Sequence, residues 1–329
     1  MHPDEAPPAR IRRYVQGDDE SLFLRSSCTL DTLPAVLLHS EEVIPMPEMW
    51  YLNGNFVSKE DAKVSVLDRG FLFGDGLYEV VRIYENEPLY LEEHLDRFFF
   101  GVNGVRMPLP HTRGEFREIA QTVIKHSSLG GASLYWEVTR GAYDPRTHYF
   151  TGKMAQPTIF MQTRAVDPQP EERRQNGVRI PLVRDVRWLK CCYKTVNLMG
   201  NCLAMTKAYE SGAPEALLYR DEKRVTECAA SSFFMVKGGE IWTHPEGDLI
   251  LSGITCLLLK RLCTKAGIPL RERVFGLKDV FGADEAFLAN TILEVVPVVG
   301  IGGSVISSGK PGPVTNKVMD LFLRYTGQR

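Results

Sequence analysis

None of the seven cysteines (Cys28, Cys191, Cys192, Cys202, Cys228, Cys256, Cys263) forms a CxxC pair, which excludes a zinc ribbon. Their odd number argues against a disulfide framework, so a reducing cytoplasm is the expected setting. No apolar run approaches the roughly 18 residues of a membrane span, and the opening MHPDEAPPAR lacks the apolar core of a secretory signal. With 39 basic and 41 acidic residues the net charge is −2, which offers no field for nucleic acid or anionic lipid. There is no P-loop, HExxH or GxSxG, and GIGGS near Gly300 lacks the GxGxxG spacing. These absences leave a small molecule as the expected partner, with no metal implied.

What is present suits a soluble protein with a large core: 329 residues, 44% hydrophobic and 24% charged, a length that favours two domains. Residues 1–48, proline-rich with an acidic QGDDES cluster, read as an N-terminal extension that is partly disordered or packed on the surface. A small α/β domain is expected over 49–166. It opens with a hairpin turning at Asn53-Gly54, continues through the strand-like GLYEVVRIY with a turn at Asn86, and then adopts helical spacing at Leu91, Leu95, Phe98 and Val102. A helix over about 113–125 and paired strands in ASLYWEVTRG and PTIFMQTRAV complete it. The polar DPQPEERRQNG, 167–177, reads as the interdomain linker, and 178–329 as a larger domain. That half starts with the strand-like VRIPLV and a helix over about 198–210 ending near Gly212. Two hairpins follow, the second turning at Gly238-Gly239, then a helix opened by Gly253-Ile254-Thr255 and an amphipathic terminal helix from about Val314.

Two residues carry the chemistry. Lys194, in YKTVNLMGN, leaves an apolar stretch in which desolvation favours a nucleophilic amine, and Glu227 follows the strand-like LLYRDEKRVT. Such an amine and carboxylate are what a pyridoxal phosphate enzyme requires, one to hold the aldehyde as a Schiff base and one to keep the ring nitrogen protonated. Lys194, once released, is the base that moves the substrate proton. Glu227 also reads as a cross-strand charge on a hairpin. SGIT, 252–255, supplies amides and hydroxyls where a helix begins, suited to a phosphate and equally to simple capping. Arg97 is a candidate guanidinium, or an exposed helix charge paired with Glu93; Thr291 is a second hydroxyl donor or a strand residue. Arg146 and His148, in RGAYDPRTHYF, project to one side of an extended stretch, as a carboxylate site or a solvated loop.

From about Trp50 onward the chain resembles the fold type IV pyridoxal phosphate enzymes: D-amino-acid aminotransferases, branched-chain aminotransferases and aminodeoxychorismate lyases. The resemblance rests on LDRGFLFGDGLYEVVRIY, EEHLDRF, VTRGAYDPRTH, RWLKCCYKTVNLMGN, VTE, THPEGDLILSGIT and FLANTILEVVPV in the family's order. It implies an α+β fold with a smaller N-terminal domain and a larger C-terminal pseudo-barrel. It also implies a Schiff base on Lys194, Glu227 at the pyridine nitrogen, and Arg97, Ile254, Thr255 and Thr291 around the phosphate. Tyr78, Arg146 and His148 resemble the carboxylate trap of the D-amino-acid aminotransferases, whose RxH loop reaches the neighbouring subunit of a homodimer. The implied reaction is ping-pong transfer of an amino group from a D-amino acid, such as D-alanine or D-glutamate, to a 2-oxo acid. The alternatives are a branched-chain L-amino-acid aminotransferase, an aminodeoxychorismate lyase, or a cofactor-free binding protein. The chain departs from the pattern at Cys228, Ala229 and Ala230, where the family carries a hydroxyl-rich run, so weaker support of phosphate and glutamate is expected.

Overall fold

The computed structural model describes residues 49–127, 129, 131–150 and 156–329. The expectation for 1–48 lies outside the described residues. Strands β1 (Met49–Leu52) and β2 (Asn55–Ser58) turn at Asn53 and Gly54, with φ of 49° and 94°. Two successive left-handed residues make the hairpin turn that matches strand twist. Helix α1 (Arg69–Phe73) is capped by Asp68, whose side chain accepts from the Gly70 amide. Strand β3 (Gly76–Tyr84) turns at Glu85 and Asn86 into β4 (Glu87–Pro88). Helix α2 (Leu91–Gly104) buries Leu91, Leu95, Phe98 and Val102, the expected stripe. Helix α3 (Arg113–Lys125) opens on a reciprocal Thr112–Glu115 capping box. With β5 (Gly131–Thr139) and β6 (Thr158–Ala165) the strands form one sheet in the order β2-β1-β6-β5-β3-β4, antiparallel at every pairing. Its core centres on Trp136, Phe98 and Phe116, the two phenylalanine rings 4.9 Å apart.

The stretch 167–177 is not a loose strand of chain: it holds helix α4 (Glu171–Asn176), and Gln169 donates to the Ile292 carbonyl at 2.9 Å. VRIPLV, expected as one strand, is two. Pro181 has no N–H to continue a ladder, so β7 (Val178–Ile180) and β8 (Leu182–Arg184) enter different sheets. Helix α5 (Met199–Glu210) follows, then β9 (Leu217–Asp221), β10 (Arg224–Cys228), β11 (Ser232–Lys237) and β12 (Glu240–Thr243). Helix α6 (Ile254–Lys265), β13 (Leu270–Glu272), α7 (Leu277–Phe281), β14 (Glu285–Asn290), β15 (Glu294–Ile301), β16 (Ser304–Val305) and α8 (Pro313–Tyr325) complete the chain.

A three-stranded sheet runs β10-β9-β8, and a larger one β13-β12-β11-β14-β15-β16 with β7 added beside β15. Burial on both faces explains the nearly unbroken apolar run of β15, EVVPVVGI. Among the described residues no helix is long and apolar enough to cross a membrane.

Candidate active site

The lysine segment reaches its place by strand addition. β5 covers one edge of β3 along its whole length, whereas β4 covers only Ile83 and Tyr84 on the other. The open edge at Gly76–Tyr78 is filled by Lys194–Val196: the Tyr78 amide donates to Lys194 O at 3.0 Å and the Val196 amide to Gly76 O at 3.1 Å. Lys194 is half-buried, and its Nζ lies 4.2 Å from the centre of the Tyr78 ring. Among the described residues it has no carboxylate or carbonyl partner, and its Nζ faces the aromatic surface.

Lys194 and Tyr78 line a cleft of about 120 Å³ together with Glu227, Arg97, Ile254, Thr255 and Thr291. Of the nine candidate residues, seven therefore meet in one place. Arg146 and His148 do not. Both are exposed, with the Arg146 guanidinium 4.5 Å from the centre of the Phe73 ring and the His148 ring 5.4 Å from it. Arg69 secures that loop through Nη1 to Thr147 O at 2.6 Å and Nη2 to His148 O at 3.2 Å. Tyr78 is thus the part of the expected carboxylate trap that one chain places at its own cleft.

Glu227 is a wall residue rather than a hairpin surface charge. Its Oε1 accepts from Arg187 Nη1 at 2.6 Å and from the Leu251 amide at 3.1 Å, which leaves Oε2 for the cleft. Burial pushes the Glu227 carboxyl up, and the Arg187 guanidinium offsets that only in part. Arg187 is held from behind by Asp185, whose own carboxyl is drawn below the ordinary range by Arg187 and Arg220 against the effect of burial.

Arg97 does not pair with Glu93, as a surface helix charge would. Glu93 instead takes Arg261. Arg97 forks onto Glu79 through Nε and Nη2, both at 2.7 Å, and its Nη1 donates to Ser252 O at 2.9 Å. His94 Nδ1 is 2.8 Å from the same Glu79 carboxylate. Burial disfavours the Glu79 charge, but Arg97 and His94 hold the carboxyl far below its usual range. Burial also lowers His94, against the pull of the Glu79 carboxylate. The result couples β3, α2 and the Ser252–Thr255 turn in one buried unit. At that turn α6 presents its free amides to the cleft, and a Cβ on Gly253 would lie 2.6 Å from Ser232 Oγ.

The apolar stretch at Cys228, Ala229 and Ala230 is held by groups outside it. Glu215, fully enclosed, accepts from the Ala230 amide at 3.1 Å and Ser231 Oγ at 2.7 Å. Asn201 donates to Ala229 O at 2.6 Å, and Asn290 donates to Ser231 Oγ at 2.8 Å. These bonds fix the backbone of the stretch and the Ser231 hydroxyl.

Sequence reasoning missed Glu79, His94, Arg187 and Glu215. Glu79 carried a signal: it shares strand parity with Leu77, Val81 and Ile83, all buried, and a charge at a core position demands a partner. Glu215 and Arg187 carried none, because the contacts that bring them to the cleft, Arg187 to Glu227 and Glu215 to Ala230, span 40 and 15 positions.

A sequence model of the family described as amino-transferase class IV matches residues 76–301. The D-alanine aminotransferase of Listeria monocytogenes serotype 4b (strain F2365) is 37% identical over 272 residues, 83% of this chain and 94% of that protein. That of Staphylococcus aureus (strain N315) is 36% identical over 278 residues, 84% and 98%. Among solved structures, a branched-chain amino acid aminotransferase from T.th. with pyridoxamine 5′-phosphate is similar at a TM-score of 0.80 and 26% identity, covering 86% of this chain and 96% of that one. With the matched region spanning both halves of the fold and every wall of the cleft, the chain belongs to the class IV aminotransferase family.

Proposed function

We propose that the cleft binds pyridoxal 5′-phosphate and transfers the amino group of a D-amino acid to a 2-oxo acid. The observation that carries this reading is that Lys194, with no acidic partner among the described residues, and Glu227, with one oxygen taken by Arg187 and the Leu251 amide, line one cleft that also contains a helix N-terminus. Bound there, the cofactor supplies an aldehyde for the amine and a ring that accepts the electron pair left when the substrate α-proton departs. Lys194 Nζ takes that proton and returns it, with the Tyr78 ring fixing where the amine stands. Glu227, with Oε1 fixed by Arg187, would hold a proton at the ring nitrogen through its other oxygen. Ile254, Thr255 and Thr291, with Arg97 behind them on Glu79 and the Ser252 carbonyl, line the cleft where they would hold the phosphate. The D-specific reading is supported by relatives named D-alanine aminotransferase at 36–37% identity across most of their length. The branched-chain structures are less similar in sequence, at 23–26%.

The same reading makes the protein a cytoplasmic homodimer, with domains meeting near 167–177 and Arg146 and His148 serving the neighbouring subunit's cleft. The apolar side chains Val66 and Phe71, 72% and 73% exposed beside that loop, support a face that a second copy covers. The described cysteines are all free, in keeping with a reducing compartment. Adding D-alanine and L-alanine separately to the holoenzyme and following the change from the pyridoxal to the pyridoxamine spectrum tests the reaction. Faster conversion by L-alanine defeats the D-specific reading. For the dimer, mixing inactive Lys194→Ala and Arg146→Ala chains restores one complete site per heterodimer; no recovery counts against it.

A further inference from the structure

The turn that carries Thr291 into the cleft ends on a residue that backbone economy does not explain. Asn290 and Glu294 face each other across the β14–β15 hairpin, so Thr291, Ile292 and Leu293 form its loop, and Glu294 has φ of 60°. A left-handed position closing a three-residue hairpin loop is ordinarily given to glycine. Glu294 occupies it with its side chain almost wholly enclosed and both carboxylate oxygens engaged. Oε1 accepts from Tyr84 Oη at 2.9 Å and Gln328 Nε2 at 2.9 Å, and Oε2 from Arg174 Nη2 at 2.8 Å. Tyr84 ends β3 in the N-terminal sheet, Arg174 lies on α4, and Gln328 follows α8. One carboxylate therefore ties the loop to three separate parts of the chain.

We infer that Glu294 is a positioning residue for the phosphate end of the cleft, setting the depth at which Thr291 stands against the Ile254–Thr255 turn. The inference rests on the proposed cofactor reading. Asn290 Oδ1 accepts from the Ile292 and Leu293 amides, and Gln169 Nε2 donates to the Ile292 carbonyl, so the loop backbone is tied at both sides of Thr291. The Glu294 carboxylate anchors the end of the hairpin from which Thr291 reaches the cleft. Ordinary strand or turn packing would require no acid here and would be better served by glycine.

The discriminating variant is Glu294→Gly, which relieves the left-handed backbone while deleting the clamp. Affinities of the apoenzyme for pyridoxal 5′-phosphate and for pyridoxal, which has no phosphate, are compared, together with the melting temperature. The phosphorylated cofactor is expected to bind about tenfold more weakly with pyridoxal changed by less than about twofold, and the loss should not add to that of Thr291→Ala. Equal weakening of both ligands, no change in either, or full additivity with Thr291→Ala overturns the inference. Should Glu294→Gly not fold, Glu294→Gln keeps acceptors for Tyr84 and loses the charge on Arg174, and the same selective loss, smaller in size, is required of it. A wild-type protein that takes up pyridoxal 5′-phosphate without forming a Schiff base on Lys194 refutes the cofactor reading instead, whatever Glu294 does.

Discussion

Arg187 Nη1 sits 2.6 Å from Glu227 Oε1, with the two side chains only 6% and 7% exposed. The pair decides which oxygen of Glu227 is left for a ligand and how strongly burial works against its charge. Removing one partner of an enclosed ion pair leaves the other charge uncompensated, at a cost of about 3–5 kcal/mol.

Arg187→Met is therefore expected to push the Glu227 carboxyl further up. The acid limb of the kcat pH profile should shift toward neutrality, because the remaining carboxylate is harder to ionise without the guanidinium. An unshifted limb in a folded variant would show that the Leu251 amide alone sustains the carboxylate.

The Glu79 cluster makes a different prediction, for stability against pH. Its folded carboxyl is held far below the unfolded value of about 4.3, so its contribution is complete above that value and drains away as pH falls. Glu79→Gln should cost about 3–5 kcal/mol in urea unfolding at pH 7. The gap from the parent protein should narrow as the pH is taken below about 4. A gap independent of pH excludes the ion pair as its origin.

Glu215 runs in the opposite direction. Burial raises its carboxyl, against the hydrogen bonds of Ser231 and neighbouring amides. The stability it contributes is present below the unfolded value and is lost as pH rises through the folded one. Comparing melting temperatures from about pH 4, near the unfolded value, upward, Glu215→Gln should lack a decline that the parent shows. Parallel curves would place that decline elsewhere.

At the mouth of α6, Gly253→Ala keeps an ordinary backbone, with φ of −67°, but sets its Cβ 2.6 Å from Ser232 Oγ. Affinity for pyridoxal 5′-phosphate should fall about tenfold, since a displaced helix N-terminus loses aligned amides. Ser232→Ala in the same chain should restore most of it. If the double variant binds no better than the single one, the steric account fails.

Most of the architecture was legible from periodicity and punctuation. Asn53-Gly54 and Gly238-Gly239 announced hairpins, and Leu91, Leu95, Phe98 and Val102 marked the buried face of α2, because turns and helix faces are dictated by residues near one another in sequence. Pro181 was visible too, yet its consequence was not: a missing N–H separates two strands only once each has a sheet to join. The helix within 167–177 was overlooked for a related reason, since a six-residue helix with no buried residue leaves no apolar periodicity to read.

By itself the sequence determined which chemistry the chain carries: a lysine after an apolar run, a glutamate after a hairpin and a helix opening on SGIT, each a local pattern with a local physical meaning. Only the tertiary structure decided what governs those groups. Arg187 against Glu227, Glu79 against Arg97, and Glu294 against Tyr84 are contacts across 40, 18 and 210 positions. The reason is that burial and Coulomb energy depend on distance and dielectric, which exist only after the sheets have closed around the cleft.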